Sequence, residues 1–165
     1  MEAAEGEVVS PANFNAPGQI AIAGHAAAVG RASAKARALG ARKVVPLTVS
    51  APFHCALMQP AQDRLEPELR AMAIRTPRVP IVANVDAEPK RHAAAAVDAL
   101  VRQVSSRVRW VEVVQRLAAE GVTHYVEVGP GTVLAGFIKR IQKDAHIVSF
   151  GSPAQLDAVM TACSH

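Results

Sequence analysis

The residues best equipped for chemistry are gathered in Ser50-Ala51-Pro52-Phe53-His54-Cys55, between a β-branched apolar stretch and a segment of helical spacing. Pro52 stiffens this turn and presents His54 at the opening of the following helix, on a loop between rigid elements, where catalytic groups concentrate. A neutral imidazole there can take a proton from a nucleophile and return it to a leaving group near neutral pH. The competing structural role for His54 is to cap the helix or pack on Phe53. A histidine base also needs a nucleophile and an orienting group. The candidate serines are Ser10, Ser50, Ser105, Ser106, Ser149 and Ser152, and none stands in a Gly-x-Ser-x-Gly elbow. Gly24-His25-Ala26-Ala27-Ala28 copies that frame only in part, with Ala26 in the serine position, and reads as a plain strand-to-helix turn. Cys55 should point away from its neighbour at the start of a helix. No nucleophile is evident.

Other motifs are weaker. Gly129-Pro130-Gly131 resembles a phosphate loop but lacks the Lys-Ser/Thr of a P-loop and the third glycine of a dinucleotide turn, so a structural turn is expected. His25, His92, His124, His146 and His165 have no ligand spacing to Cys, Asp or Glu, which argues against a metal. Arg107, Arg109, Lys139, Arg140 and Lys143 form a late basic group, read as a solvated face before a binding patch.

The elements that would position these residues follow from periodicity. Glu7 to Phe14 and Gln19 to Ala23, joined by Ala16-Pro17-Gly18, predict a β-hairpin. Ala26 to Leu39 is an alanine-rich helix stopped at Gly40, and Lys43 to Val49 predicts a third strand. Leu57 to Met72 has helical apolar spacing, with Pro60 in its first turn and Pro67 expected to kink it. Beyond it, strands at Val79–Val85, Tyr125–Val128 and His146–Phe150 alternate with helices at Ala93–Val104, Trp110–Glu120, Thr132–Gln142 and Pro153–Cys163, the last with Ser152 as N-cap. That alternation predicts a parallel α/β sheet. A soft boundary falls near residues 50 to 55, dividing a small α+β unit, 1–52, from an α/β unit, 53–165.

The 165 residues are 50% apolar, enough for a core and incompatible with a disordered chain. No apolar run approaches the roughly 18 residues of a membrane span. Met1 to Glu7 lacks the basic and apolar character of a secretory signal, so a cytoplasmic setting is expected, with Cys55 and Cys163 as free thiols. Eighteen Lys and Arg against fourteen Asp and Glu leave a net charge of +4, suited to an acidic partner but too small for nucleic acid. Aromatic residues are only 4% of the chain, which also disfavours base stacking.

Five segments together resemble the malonyl-CoA:acyl-carrier-protein transacylases. They are Val9-Ser10-Pro11-Ala12-Asn13-Phe14-Asn15-Ala16-Pro17-Gly18-Gln19, Pro52-Phe53-His54-Cys55-Ala56-Leu57-Met58, Val82-Ala83-Asn84-Val85-Asp86, Leu100-Val101-Arg102-Gln103 and Glu127-Val128-Gly129-Pro130-Gly131-Thr132-Val133-Leu134. Each alone is unspecific; five in register are not. Their order is that of the family's C-terminal half.

The resemblance implies a fold: part of a ferredoxin-like α+β subdomain, followed by the C-terminal part of an α/β-hydrolase-like acyltransferase core. It implies that His54 is the catalytic histidine and that the backbone carbonyl of Gln103 holds its other ring nitrogen. Asn13, with Asn15, falls in a segment lining the cleft, and Phe53 matches a position that screens the acyl α-carbon against branched groups. The implied activity is malonyl transfer from malonyl-CoA to an acyl carrier protein in fatty acid synthesis, with coenzyme A thioester as substrate and no cofactor. The family's serine elbow, its malonate-binding arginine and its first oxyanion-hole donors match nothing here. The chain is therefore expected to be inactive alone and to self-associate or pair with a separate N-terminal half. The alternatives are a non-catalytic interaction fragment and the acyltransferase domain of a polyketide synthase.

Overall fold

The computed structural model describes residues 4–162. The first two apolar stretches form the expected antiparallel hairpin of β1 (Val9–Ala16) and β2 (Gln19–Gly24), turned at Pro17-Gly18 with Gly18 at φ 72°. Gly24 then lets the chain pass against Val8: a Cβ there would lie 2.1 Å from the Val8 carbonyl oxygen. The amide of Val8 donates to His25 Nδ1 at 2.9 Å, so the false elbow is a structural corner. Helix α1 (Ala26–Ala38) follows and stops where the Gly40 amide, at φ 90°, turns back to the Arg37 carbonyl at 3.0 Å.

Residues 43–49 form no strand, contrary to the sequence pattern. Val45, Leu47 and Val49 are 55%, 66% and 63% exposed. Their alternation is that of a strand, but a ladder needs a neighbouring backbone, and among the described residues none pairs with it. The next helix begins as a short turn at Ala56–Met58 and continues as α2 (Gln59–Ala71), with Pro60 at its start and Pro67 inside it.

The expected strand at 79–85 is reduced to β3 (Ile81–Val82), paired antiparallel with β4 (Pro89–Lys90). Helices α3 (Ala93–Arg102) and α4 (Trp110–Ala119) come next. Then β5 (His124–Val128) and β6 (His146–Phe150) pair in parallel around α5 (Val133–Ile141). The chain ends its described part in a short turn, Pro153–Gln155, and α6 (Leu156–Ala162). Ser152 stands at the start of that turn, where its amide and that of Gly151 donate to Gln155 Oε1 at 3.1 and 2.7 Å. Cys163 and His165 lie outside the described residues.

The chain is thus α/β, but the expected continuous parallel sheet is absent among the described residues. The strands pair in three separate two-stranded sheets, and only β5 and β6 run parallel. The physical reason is again partnership, because β3 and the 43–49 segment carry strand residues without a central strand beside them. A small packed core lies late in the chain. Val114, Ile138 and Ala145 are buried between α4, α5 and β6, and Trp110, Tyr125, Ile141 and Ile147 close over them. The surface is correspondingly large, at 10842 Å². A folded monomer of this mass is expected to expose about 7,800 Å². Among the described residues no helix is long and apolar enough to cross a membrane.

Contacts at both ends stitch the hairpin to the later part of the chain. The Val108 amide donates to the Ala12 carbonyl at 2.7 Å, and the Phe14 amide donates to the Val108 carbonyl at 2.9 Å. At the far end, the Arg140 guanidinium reaches the Pro17 carbonyl at 2.9 Å and the Gln19 side chain.

Candidate active site around His54

Pro52 and the buried Cys55 frame the turn that carries His54. Cys55 is 2% exposed and its thiol donates to the Pro52 carbonyl at 3.1 Å, turned into the loop and away from the imidazole. His54 itself has φ 62°, the left-handed region, which costs a residue with a Cβ about 1–2 kcal/mol. Tertiary contacts hold it there. The Nδ1 atom lies 3.2 Å from the carbonyl oxygen of Gln103 and 3.2 Å from that of Ser106.

Two carbonyl oxygens can only accept, so Nδ1 must carry the hydrogen. That assigns the tautomer and leaves the lone pair on Nε2, the state a general base requires. The carbonyls sit where α3 ends: Gln103 is its C-cap, and the chain then turns through Ser106 to join β1 at Val108. The Gln103 carbonyl is where the sequence resemblance put it. The Ser106 carbonyl was not foreseen, because a backbone acceptor leaves no mark on residue type.

A cavity of about 450 Å³ opens beside the imidazole. Its wall is made by Ser10 and Pro11 of β1, by His54, Cys55 and Ala56, by Val85, and by Arg102 and Ser105 to Arg107. Asn13 is partly buried in the same strand as Ser10, and Phe53 is 47% exposed beside His54; neither belongs to that wall. Three serines line the cavity, yet none is hydrogen-bonded to the His54 side chain among the described residues. Ser105 instead donates to Gln62 Oε1 at 2.6 Å, tying α2 to the end of α3.

Beneath the cavity, Asp86 anchors the loop after β3. Lys90 Nζ donates to both of its oxygens at 2.8 Å, and Arg102 reaches it at 2.9 Å. Burial alone would push this carboxyl up. The hydrogen bonds from Lys90, Arg102 and the Glu88 amide outweigh it and hold the carboxyl below the usual carboxylate range. A carboxyl lowered by folding contributes stability above its unfolded titration range and loses it as pH falls through the folded one. Asp86→Asn should therefore cost about 2 kcal/mol at neutral pH, leaving Lys90 largely buried without its charge partner. Urea midpoints measured at matched concentration should fall at pH 7, and the gap to the parent chain should shrink on acidification.

The Gly129-Pro130-Gly131 turn has its own anion already. The Glu127 carboxylate accepts from the amides of Leu134 at 3.0 Å and Ala135 at 2.8 Å, at the N-terminus of α5. A side chain of the preceding strand thus occupies the place a phosphate would take, and the turn is structural. Glu127→Ala should cost about 2 kcal/mol, read as a lower urea midpoint, with Glu127→Gln recovering part of it. The late basic group does not form one patch either. Arg109 pairs with Glu112, and the Lys139 ammonium donates to the Ala145 carbonyl at 2.6 Å.

The model of the acyl transferase domain family matches residues 2–159. The chain belongs to the acyl transferase domain family. As an acyl transferase it is 51% identical over 160 residues to the malonyl CoA-acyl carrier protein transacylase of Salmonella typhimurium, covering 97% of this chain and 52% of that protein. Among solved structures it matches the acyl-carrier-protein S-malonyltransferase of Burkholderia pseudomallei, with a TM-score of 0.92, 46% identity, and coverage of 97% of this chain and 52% of that one. A malonyl-transacylase solved in complex with a type II PKS acyl-carrier protein matches with a TM-score of 0.93 and 43% identity, again covering 97% and 52%. The chain therefore spans about half the length of the relatives it matches.

Proposed function

We propose that this acyl transferase chain supplies the general base and part of the acceptor cleft for malonyl transfer from malonyl-CoA to an acyl carrier protein in fatty acid synthesis. The observation that carries this reading is the imidazole of His54, held in one tautomer by two backbone carbonyls with Nε2 left available. His54 Nε2 takes the proton of a serine hydroxyl as its oxygen bonds to the thioester carbonyl. The C–S bond breaks and the proton passes to the departing thiolate of coenzyme A, leaving malonyl as an ester. The carrier's thiol then gives its proton to His54 and attacks that ester, and the serine oxygen leaves with the proton. Neutral carbonyls fix the ring but stabilise imidazolium less than a carboxylate would.

The serine belongs to the part of the fold that these residues do not span, since no Gly-x-Ser-x-Gly occurs among them. In this reading, residues 1–52 are part of a ferredoxin-like subdomain and 53–165 the later part of a hydrolase-like core. Phe53 faces the acyl α-carbon and favours unbranched malonyl, Asn13 lies along the cleft, and coenzyme A enters as a thioester substrate with no further cofactor. The setting is the cytoplasm. The net charge of +4 suits an acidic carrier.

The test is mass measurement of the intact chain after incubation with malonyl-CoA. Alone it should stay unmodified. Mixed with the half of the Salmonella typhimurium transacylase that it does not span, it should restore transfer to the carrier. A stable malonyl adduct on the chain alone would overturn the assignment of the nucleophile elsewhere. A non-catalytic interaction fragment is the second reading, favoured by the missing elbow, and it predicts no transfer in the mixture.

A further inference from the structure

The His54 cavity holds two guanidinium groups, and only one is neutralised. Arg102 is bound by Asp86 at 2.9 Å and by Asp98 at 2.8 Å. Arg107 makes no ion pair among the described residues; its charge lies 5.5 Å over the ring of Phe14, and it is exposed at the cavity edge. The carboxylate that feels it through space, Glu112, is already hydrogen-bonded by Arg109.

Its backbone is pinned on both sides. The carbonyl of Ser106, just before it, holds His54 Nδ1 at 3.2 Å, and the amide of Val108, just after it, donates to Ala12 at 2.7 Å. The backbone that carries Arg107 is therefore fixed relative to the cavity, and its guanidinium offers planar, bidentate donors to an anion there. The Phe14 ring beneath the charge adds a cation–π attraction that uses none of the guanidinium N–H donors.

We propose that Arg107 reads a phosphate ester on the pantetheine arm that enters the His54 cavity. This inference rests on the acyl transfer reading above. The phosphate has two sources, coenzyme A and the carrier-bound arm, and both end in a thiol that must reach His54. A phosphate at the far end of such an arm must lie toward the solvent side when the thiol lies inside. Arg107 is the solvent-exposed cation of the cavity wall. The acyl carboxylate, by contrast, travels with the reacting carbonyl into the interior.

The experiment is calorimetric titration of coenzyme A, phosphopantetheine, pantetheine and malonate into the chain, alone and mixed with the complementary half of the Salmonella typhimurium relative. Arg107→Ala should weaken coenzyme A and phosphopantetheine by about tenfold and leave pantetheine unchanged. Arg107→Lys should recover part of the loss, and Arg109→Ala should leave all four ligands unaffected. Equal losses would put the contact on the phosphate that both ligands share; a loss confined to coenzyme A would put it on the adenosine phosphates and overturn the proposal. Unchanged phosphate-ligand affinity in Arg107→Ala, with pantetheine still bound, overturns the role of Arg107 alone. A loss that appears equally with malonate or pantetheine also overturns it. Absence of binding by every pantetheine ligand, in the mixture as well as alone, overturns both this inference and the transfer reading. Circular dichroism of each variant keeps misfolding separate from lost contacts.

Discussion

His54→Ala in the mixture of this chain with its complementary half is expected to reduce malonyl transfer by a factor on the order of a million. Gln103→Ala in the same mixture is expected to change it by no more than a few-fold. The contrast follows from which atoms act. His54 offers Nε2; among the described residues the cavity wall has no carboxylate and no second imidazole, and the Cys55 thiol is turned to the Pro52 carbonyl. Gln103 offers its backbone carbonyl, which alanine keeps, and the Ser106 carbonyl shares the load at the same 3.2 Å. Steady-state transfer of radiolabelled malonyl to the carrier measures both. Full activity in His54→Ala would remove the base assignment. A collapse in Gln103→Ala with an intact fold would show that its side chain, not its carbonyl, is what matters.

The second large effect concerns the chain by itself. Its surface exceeds that expected of a folded monomer by about 3,000 Å², more than one side of an ordinary obligate interface. Large apolar side chains are exposed in the unpaired segment and in two-stranded sheets with open edges: Val45, Leu47 and Val49, Val79 at 70% and Ile81 at 49% exposure beside and in β3, and Val128 at 74% at the end of β5. Open strand edges and apolar faces drive association. In sedimentation the chain alone should therefore run as concentration-dependent species heavier than 17.3 kDa. Adding the complementary half should convert these to a discrete one-to-one complex with a higher and sharper urea transition. A monodisperse, cooperatively unfolding 17.3 kDa monomer would contradict this.

The two expectations are linked through β1. The strand that carries Ser10 and Asn13 also receives Val108, and Val108 follows the loop that holds His54 and Arg107. A partner that orders the open edges should thus also steady the imidazole. The same linkage brings residues from both sides of position 52 into one cavity wall.

Local chemistry decided a good deal. Pro17-Gly18 and Gly24 determine the hairpin and its exit, since only their backbones accept those turns. Pro52-Phe53-His54-Cys55, set between a strand-like run and a helical one, marks the loop that presents the imidazole. The spacing of α1 to α5 was legible because a helix satisfies its own backbone within the segment. Strands are different, because their hydrogen bonds belong to another stretch of chain. Residues 43–49 are mostly β-branched or apolar yet form no strand, with Pro46 removing one ladder donor, and Val79 to Val85 keeps two paired residues of seven. The site shows the same division. Residue type picked out His54, but its tautomer depends on carbonyls 49 and 52 positions away, which only the path of the chain could bring there. Glu127 turned a phosphate-like glycine turn into a structural one, and Phe14 with Val108 turned one surface arginine into a positioned cation. Sequence specified the groups and their local frames; tertiary structure decided which lone pair, which carbonyl and which charge were left to act.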